Sequence, residues 1–379
     1  MKNLAIVPGN SFEDLVEKGL AQSLAGYFNP QGFFDNVFCF SPFENVEREA
    51  FKMHIIPTKD VDLVSRINAL AVDIVRAYGG GTPLEMSVFF RAKGVPVVVS
   101  IHDKRLEKIS PAIRFADAVF VVSEELRAIV QKLNVRRERI FVVPNGVDGA
   151  LMKPLGPNDL GDFPARFPFK RRILHVGRKS KEKNIEAIIR ALHRLGPEYG
   201  LVAVGQGDPS FYETLARQLG VADRCIFLGG ISQAEVVRFY NWADCVCHPS
   251  RSEAMCNVLL EALACGIPVV TTDTAAAGLG DAPSRAMLLV RDPEDDESLS
   301  VLIRRACENP EARRELRDNA RKSVEHLFLK YTQAHEIECY KKVWQMHLRG
   351  DFRRGIFDAM ELKVAHMERR AEKKLQEKK

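Results

Sequence analysis

Two carboxylates, Glu253 and Glu261, stand eight positions apart in the stretch DCVCHPSRSEAMCNVLLEALACGIPVVT, residues 244–271. Between them the sequence passes from a loop containing Pro249, Ser250 and Arg251 into an apolar run. That run opens at Asn257, a residue type that caps helices, and continues through Val258, Leu259 and Leu260. A helix beginning there offers unpaired N–H groups and the positive end of its dipole, a seat for phosphate with Asn257 and Val258 at its mouth. Carboxylates beside an anion are unfavourable unless they accept from hydroxyl groups, and sugars and riboses supply hydroxyls. The pattern therefore asks for a ligand with phosphate in the middle and a polyol on either side, which is the shape of a nucleotide-sugar. Cations for the phosphate come from Gly177-Arg178-Lys179-Ser180-Lys181-Glu182-Lys183. Arg178 and Lys183 lie across a turn entering a helix and can converge on one diphosphate, Arg as a planar fork and Lys as a point charge.

Other chemistries lack their residues. There is no G-x-x-x-x-G-K-[ST], so no phosphate-binding loop of the P-loop type, and no G-x-S-x-G. Val204-Gly205-Gln206-Gly207 has Ser210 where a dinucleotide loop carries its third glycine, which counts against a nicotinamide dehydrogenase. Asp60-Val61-Asp62 resembles a metal-holding D-x-D, but it opens a helical stretch and Asp60 is read as its N-cap. The eight cysteines include no C-x-x-C. Cys245-x-Cys247-His248 has no second ligand pair at zinc spacing, so no metal site is expected and the thiols are read as reduced and buried in a cytoplasm. Net charge is +5, from 55 cations and 50 anions. This excess suits anionic substrates or a membrane surface and is too small to argue for nucleic acid. No apolar run is long enough for a transmembrane helix. The start, MKNLAIVPGNSFED, is read as a first strand rather than a signal peptide.

The elements that would position these residues alternate along the chain. Short apolar runs at Leu4–Val7, Val37–Phe40, His54–Ile56, Ile74–Ala77, Val95–Ile101, Ala118–Val122 and Ile140–Val143 read as strands. So do Ile173–Val176, Leu201–Val204, Cys225–Leu228, Cys245–Cys247, Val269–Thr272 and Met287–Val290. Helical stretches separate them. Ile185, Ile188, Ile189 and Leu192 repeat at the spacing of one buried helix face. Fully apolar strands joined by helices imply parallel sheets covered on both sides. The expected fold class is α/β, with two doubly wound Rossmann-like domains facing across a cleft. The stretch LGPNDLGDFPARFPFKRR, rich in Pro, Gly and charge, reads as a linker near residues 150–170. This divides the chain into domains at 1–160 and 161–340, with residues 341–379 as a C-terminal helical crossover and basic tail. Residues 311–349 read as helical. Residues 361–379 carry seven cations and four anions, a solvated helix or frayed end with a possible peripheral membrane contact as the competing reading. Ligands of such sheets bind beyond the carboxyl ends of the strands, so function belongs to the loops that follow strands.

On these residues the sequence resembles the retaining glycosyltransferases of family 4, which have the two-domain GT-B fold with a C-terminal helix crossing back. The segments that carry the resemblance are VVPNGVD (142–148), HVGRKSKEKN (175–184), LVAVGQGD (201–208), IFLGGIS (226–232) and YNWADCVCHPSRSEAMCNVLLEALACGIPVVTTD (240–273). The resemblance implies a role for each matched residue. Glu261 would bind the donor ribose. Glu253 would meet the donor sugar near the reacting carbon. Arg178 and Lys183 would hold the diphosphate, and backbone near Gly229 and Ile231 would receive the base. His102, closing the apolar strand before Asp103, would stand near the donor sugar and the acceptor, so that His102 and Glu253 are the catalytic candidates. The family's paired glycines after the first strand are absent. Gly9 stands in that loop, and Gly79-Gly80-Gly81 comes much later. The implied activity is transfer of a hexose from a nucleotide-sugar, a UDP-sugar favoured over a GDP-sugar, to an acceptor hydroxyl with retention. The acceptor would be a glycan or lipid-linked glycan in cell-surface synthesis, with no resident cofactor and no nucleic acid as partner. A nucleotide-sugar epimerase of the same fold and a non-catalytic nucleotide-sugar-binding scaffold are the alternatives.

Overall fold

The computed structural model describes residues 1–17, 23–59, 63–280 and 285–352. Asp60-Val61-Asp62 and the tail 361–379 lie outside the described residues. Two compact units emerge, one made of Met1–Val143 and the chain from Gln333 onward, the other of Pro144–Thr332.

The first unit is built on an eight-stranded sheet. Its strands are β1 (Asn3–Val7), β2 (Asn36–Ser41), β3 (Arg48–Ala50), β4 (Met53–Pro57), β5 (Ile74–Tyr78), β6 (Val97–Ile101), β7 (Ala118–Val121) and β8 (Ile140–Val142), in the order β3-β4-β2-β1-β5-β6-β7-β8. All neighbours are parallel except β3, which pairs antiparallel with β4 at the edge. The second unit holds β9 (Arg171–Val176), β10 (Tyr199–Val204), β11 (Cys225–Leu228), β12 (Cys245–His248), β13 (Val269–Thr272) and β14 (Met287–Val290), all parallel, in the order β11-β10-β9-β12-β13-β14. Each strand expected from the sequence is present. The addition is β3, whose residues Arg48, Glu49 and Ala50 carry no apolar run and leave a charged edge that discourages further pairing.

Apolar burial on both faces explains why these strands are parallel and continuous. In the second unit Ile173, Leu201, Cys247 and Val270 pack with Ile185, Ile188, Ile189 and Leu192 from the helix Ile185–Arg194. Each such fully buried aliphatic side chain contributes about 1.5–3 kcal/mol. In the first unit Leu4, Ile6, Val98 and Phe120 pack with Tyr340 and Val343. Those last two belong to the helix Leu329–Leu348, which starts in the second unit and continues in the first. Arg76 on β5 explains why it docks there. Its buried guanidinium donates to Ser100 Oγ at 2.8 Å and Tyr340 Oη at 2.8 Å, and pairs with Glu336.

The domain boundaries differ from those expected. The division falls after Val143 and after Thr332, not at 160/161 and 340/341. The Pro- and Gly-rich stretch is no linker, because its aromatic residues pack into the second unit. Phe163 meets Phe239 edge-on at 4.8 Å and Phe167 meets Trp242 at 5.4 Å, while Leu155 N donates to Asn241 Oδ1 at 2.8 Å. Val147 pairs with the segment 327–329, its N–H donating to Leu327 O and its carbonyl accepting from Leu329 N. That pairing interrupts the helix expected over 311–349, which is two helices, Pro310–Val324 and Leu329–Leu348. No helix among the described residues is long and apolar enough to cross a membrane.

Candidate functional site

In the second unit β9 lies between β10 and β12. The chain moves outward from β9 to one side and then returns to the other. The loops after β9 and β12 therefore part at a topological switch point, where open α/β sheets bind ligands. The loop after β9 carries Arg178 and Lys183; the loop after β12 carries Glu253 and leads into the helix Asn257–Ala264.

Glycines allow the first loop to lie flat. Gly177 and Gly205 have φ of +150° and +143°, and a Cβ on Gly205 would stand 2.0 Å from the Gly177 carbonyl oxygen. Pairing extends past the strand ends, with Gly177 N donating to Val204 O at 2.9 Å and Lys179 N to Gln206 O at 2.7 Å. Asn184, fully buried with φ of +55°, then turns the chain into its helix and donates to Pro249 O at 3.2 Å and Pro293 O at 2.7 Å. Arg251 ties the loops together from the other side. Its backbone N donates to Glu182 O at 2.9 Å and its guanidinium pairs with Glu186 and Glu294 at 2.8 and 2.6 Å.

These contacts bring Lys183 to Glu253. The Lys183 ammonium donates to Glu253 Oε1 at 2.6 Å, and His248 Nε2 lies 3.0 Å from the same oxygen. Burial alone would raise the Glu253 carboxyl, but the hydrogen bond and charge of His248 and the charge of Lys183 outweigh it and hold the group down at about 2. Burial likewise opposes the charge on His248. Cys256 and Glu253 together overcome it and lift the imidazole to about 9. Arg178 is exposed and makes no ion pair among the described residues. Lys179 is turned aside, donating to the Gly205 carbonyl and to Leu228 O at 2.6 Å. Burial lowers its ammonium.

The helix bearing Glu261 starts one residue differently from expectation. Cys256 is the N-cap and makes no side-chain cap, whereas Asn257 is the first helical residue. Asn257 is thus one position past the cap, and its Oδ1 accepts from Asn145 Nδ2 at 2.8 Å. The N–H groups of the first turn, at exposed Asn257 and half-buried Val258, therefore have no side-chain acceptor from the N-cap, as an anion seat requires. Glu261 accepts from the buried Tyr240 Oη at 2.7 Å. Burial pushes its carboxyl up to about 7 against that hydrogen bond. Gly229 is exposed beyond the end of β11, its carbonyl accepting from Gly205 N at 3.1 Å, and Ile231 follows half-buried.

Gly9 and His102 belong to the first unit. Gly9 follows β1, and a Cβ there would stand 2.4 Å from Tyr78 O at the end of β5, so only glycine fits that crossing. β1 and β5 flank the switch point of that sheet. His102 stands exposed directly after β6.

Two partners escaped sequence reasoning. Tyr240 lies 21 positions before Glu261 and carries no local signal. His248, considered in the sequence only beside Cys245 and Cys247, stands at a strand end directly before Pro249. All eight cysteines are free, and Cys245 meets Cys307 sulfur to sulfur at 3.7 Å. His248, Glu253 and Cys256 offer ligand atoms within 4.8 Å of one another. The Lys183 ammonium on the same carboxylate oxygen repels a cation there.

Two Rossmann-like units, each on a largely parallel sheet with a topological switch point, define the GT-B class. The crystal structure of Anabaena Alr3699/HepE in complex with UDP shares this fold, with a TM-score of 0.75 and 20% identity over 90% of this chain and all of that one. Residues 42–150 match the family model Glycosyltransferase Family 4, and residues 164–323 match Glycosyl transferases group 1. The chain belongs to the family 4 glycosyltransferases. Among curated relatives, the D-inositol 3-phosphate glycosyltransferase of Mycolicibacterium smegmatis is 35% identical over 44% of this chain and 39% of its own length. The lipopolysaccharide glucosyltransferase WaaG of Escherichia coli is 32% identical over 38% of each. The chain thus spans about two fifths of the length of these relatives.

Proposed function

We propose that the protein is a retaining glycosyltransferase that moves a hexose from a nucleotide-sugar, a UDP-sugar rather than a GDP-sugar, to an acceptor hydroxyl on a glycan or lipid-linked glycan of the cell surface. The observation that carries the reading is the Lys183–Glu253 contact of 2.6 Å at the switch point, beside a helix whose first turn has no side-chain cap. Cleaving a glycosyl–phosphate bond develops negative charge on the diphosphate and positive charge on the sugar. Arg178, Lys183 and the helix mouth at Asn257 and Val258 answer the former, preorganised where the charge appears. Glu253 accepts from donor sugar hydroxyls and Glu261 from the ribose, while backbone at Gly229 and Ile231 receives the base. His102 and Gly9 would serve from the first unit, His102 near the acceptor and Gly9 by letting backbone approach phosphate. Because side chains and a helix dipole neutralise the leaving group, the reaction as proposed runs without a resident cofactor. Support comes also from the names of relatives, WaaG being a glucosyltransferase of lipopolysaccharide and HepE having been solved with UDP. A peripheral membrane contact through the basic tail belongs to the same reading.

A calorimetric panel of UDP-, GDP- and ADP-sugars tests it, followed by transfer assays with chelator present and with liposomes bearing anionic lipid. Binding of a UDP-sugar, with sugar passed to a glycan in chelator, is the expected result. No binding of any nucleotide-sugar overturns the reading, and conversion of the donor sugar without acceptor reassigns the chain as an epimerase.

A further inference from the structure

We propose that His248 is a positioning residue for Glu253, the fixed hydrogen-bond partner that holds the carboxylate in place when Lys183 leaves it for the donor diphosphate. This rests on the role assigned to Glu253 and Lys183 above.

The imidazole is immobilised from several directions. His248 closes β12 with 1% of its surface exposed, and its carbonyl accepts from Thr271 Oγ1 at 2.8 Å. Its ring lies flat on that of His175 from β9, centroids 5.1 Å apart and planes 6° apart. His175 is itself anchored, its Nδ1 lying 3.1 Å from Cys247 O. A carbonyl only accepts, so His175 carries its proton on Nδ1. The same logic sets the proton on His248. A carboxylate only accepts, so the 3.0 Å contact requires a proton on Nε2.

Glu253 Oε1 thus accepts from two donors of different character. Lys183 reaches it at 2.6 Å on a flexible four-carbon stem and stands 3.7 Å from Glu182 as well. It can exchange partners when phosphate arrives. His248 cannot move, because ring stacking and the end of β12 hold it. Without the imidazole, withdrawal of Lys183 would leave a partly buried carboxylate with neither of its two donors, free to rotate away from the sugar. The titratable groups that act on the ring are Glu253 and Cys256 from its own loop and His175 from β9, and His175 in turn feels Lys183 and Lys179 from the loop after that strand.

The test compares His248→Phe, which keeps an aromatic ring without an N–H, with His248→Gln, whose amide can still donate. Three quantities are read in the full-length protein: kcat with donor and acceptor, affinity for the nucleoside diphosphate alone, and titration of the Glu253 side-chain carboxyl by carbon NMR. In the Phe variant kcat should fall about tenfold or more, the scale of a misplaced reacting group. The Glu253 carboxyl should titrate about one unit higher, while nucleoside diphosphate affinity stays within about twofold and the Gln variant recovers much of the kcat. An unmoved Glu253 titration, or equal losses of kcat, nucleotide affinity and melting temperature in both variants, overturns the proposal in favour of a packing role. If the Phe variant does not fold, His248→Asn, too short to reach Oε1, replaces it in the comparison. A wild-type protein that binds no nucleotide defeats the functional reading instead, and the carboxyl titration then still reports whether His248 holds Glu253.

Discussion

Lys183, Glu253 and Glu261 are individually ordinary residues, and their value comes from what each one faces. Glu253 keeps its charge through two donors, whereas the carboxyl of Glu261, which accepts from the Tyr240 hydroxyl, is raised to about 7 by burial. Removing the ammonium in Lys183→Ala should weaken nucleotide-sugar binding by about 1–3 kcal/mol, the scale of a charged hydrogen bond. Calorimetry checks this, and unchanged affinity would remove Lys183 from the phosphate site. Glu261 predicts a pH dependence. Its carboxyl is raised to about 7, so it is protonated below that value, and a ribose hydroxyl donates best to the ionised form. Affinity for the nucleotide should therefore rise between pH 6 and 8, with net proton release on binding. Glu261→Gln should flatten that slope, and a slope that persists in the variant would place the titrating group elsewhere. For stability the signs differ between the two partners at Glu253. The depressed carboxyl contributes above its ordinary value and loses that contribution as pH falls toward about 2. The raised His248 contributes fully below its ordinary value and loses it as pH rises through about 9.

Loops and helix starts decide whether those residues meet. The β9 and β10 loops are joined by backbone contacts that leave no room for a side chain at Gly205. Gly205→Ala must displace the Gly177 carbonyl and strain its own φ of +143°. It should destabilise by about 1–3 kcal/mol, the scale of overpacking, and weaken nucleotide binding together with the melting temperature, since the loop carrying Arg178 would shift. Thermal denaturation and calorimetry on one preparation measure both, and a variant with native affinity would show that the loop tolerates the change. Strands were legible at this scale because thirteen apolar runs stand out against polar loops. The edge strand Arg48–Ala50 was not, since Arg48 and Glu49 are exposed and Ala50 is its one half-buried apolar residue. Asn257 was legible as a helix start within one residue. The N-cap place falls to Cys256, and the Asn257 side chain meets a tertiary partner, Asn145.

At the scale of the chain, the helix Leu329–Leu348 passes from one unit to the other and is held in the first by the Arg76 network. Replacing Arg76 by Met leaves Glu336 and Tyr340 without their buried partner. The expected cost is about 3–5 kcal/mol, as for breaking one side of a buried pair. Hydrogen exchange should quicken over residues 333–348 while the strands of the second unit are unaffected. Adding Glu336→Gln should recover part of the loss by removing the stranded charge, and equal exchange in wild type and Arg76→Met would show that apolar packing at Tyr340 and Val343 holds the helix unaided.

The sequence by itself determined the alternation of strands and helices, the two largely parallel sheets and the residue types in the loop after β9, because hydrophobic periodicity and glycine placement act over a few neighbouring positions. It also suggested a boundary inside 150–170, since Pro, Gly and charge usually mark exposed chain. Only the tertiary structure decided that Phe163 and Phe167 in that stretch bury themselves against Phe239 and Trp242. The tertiary structure alone likewise decided that His248 and Tyr240 face the two carboxylates. Those pairings depend on strand order and helix packing across tens of residues, and no local composition encodes which side chain a folded sheet will bring opposite another.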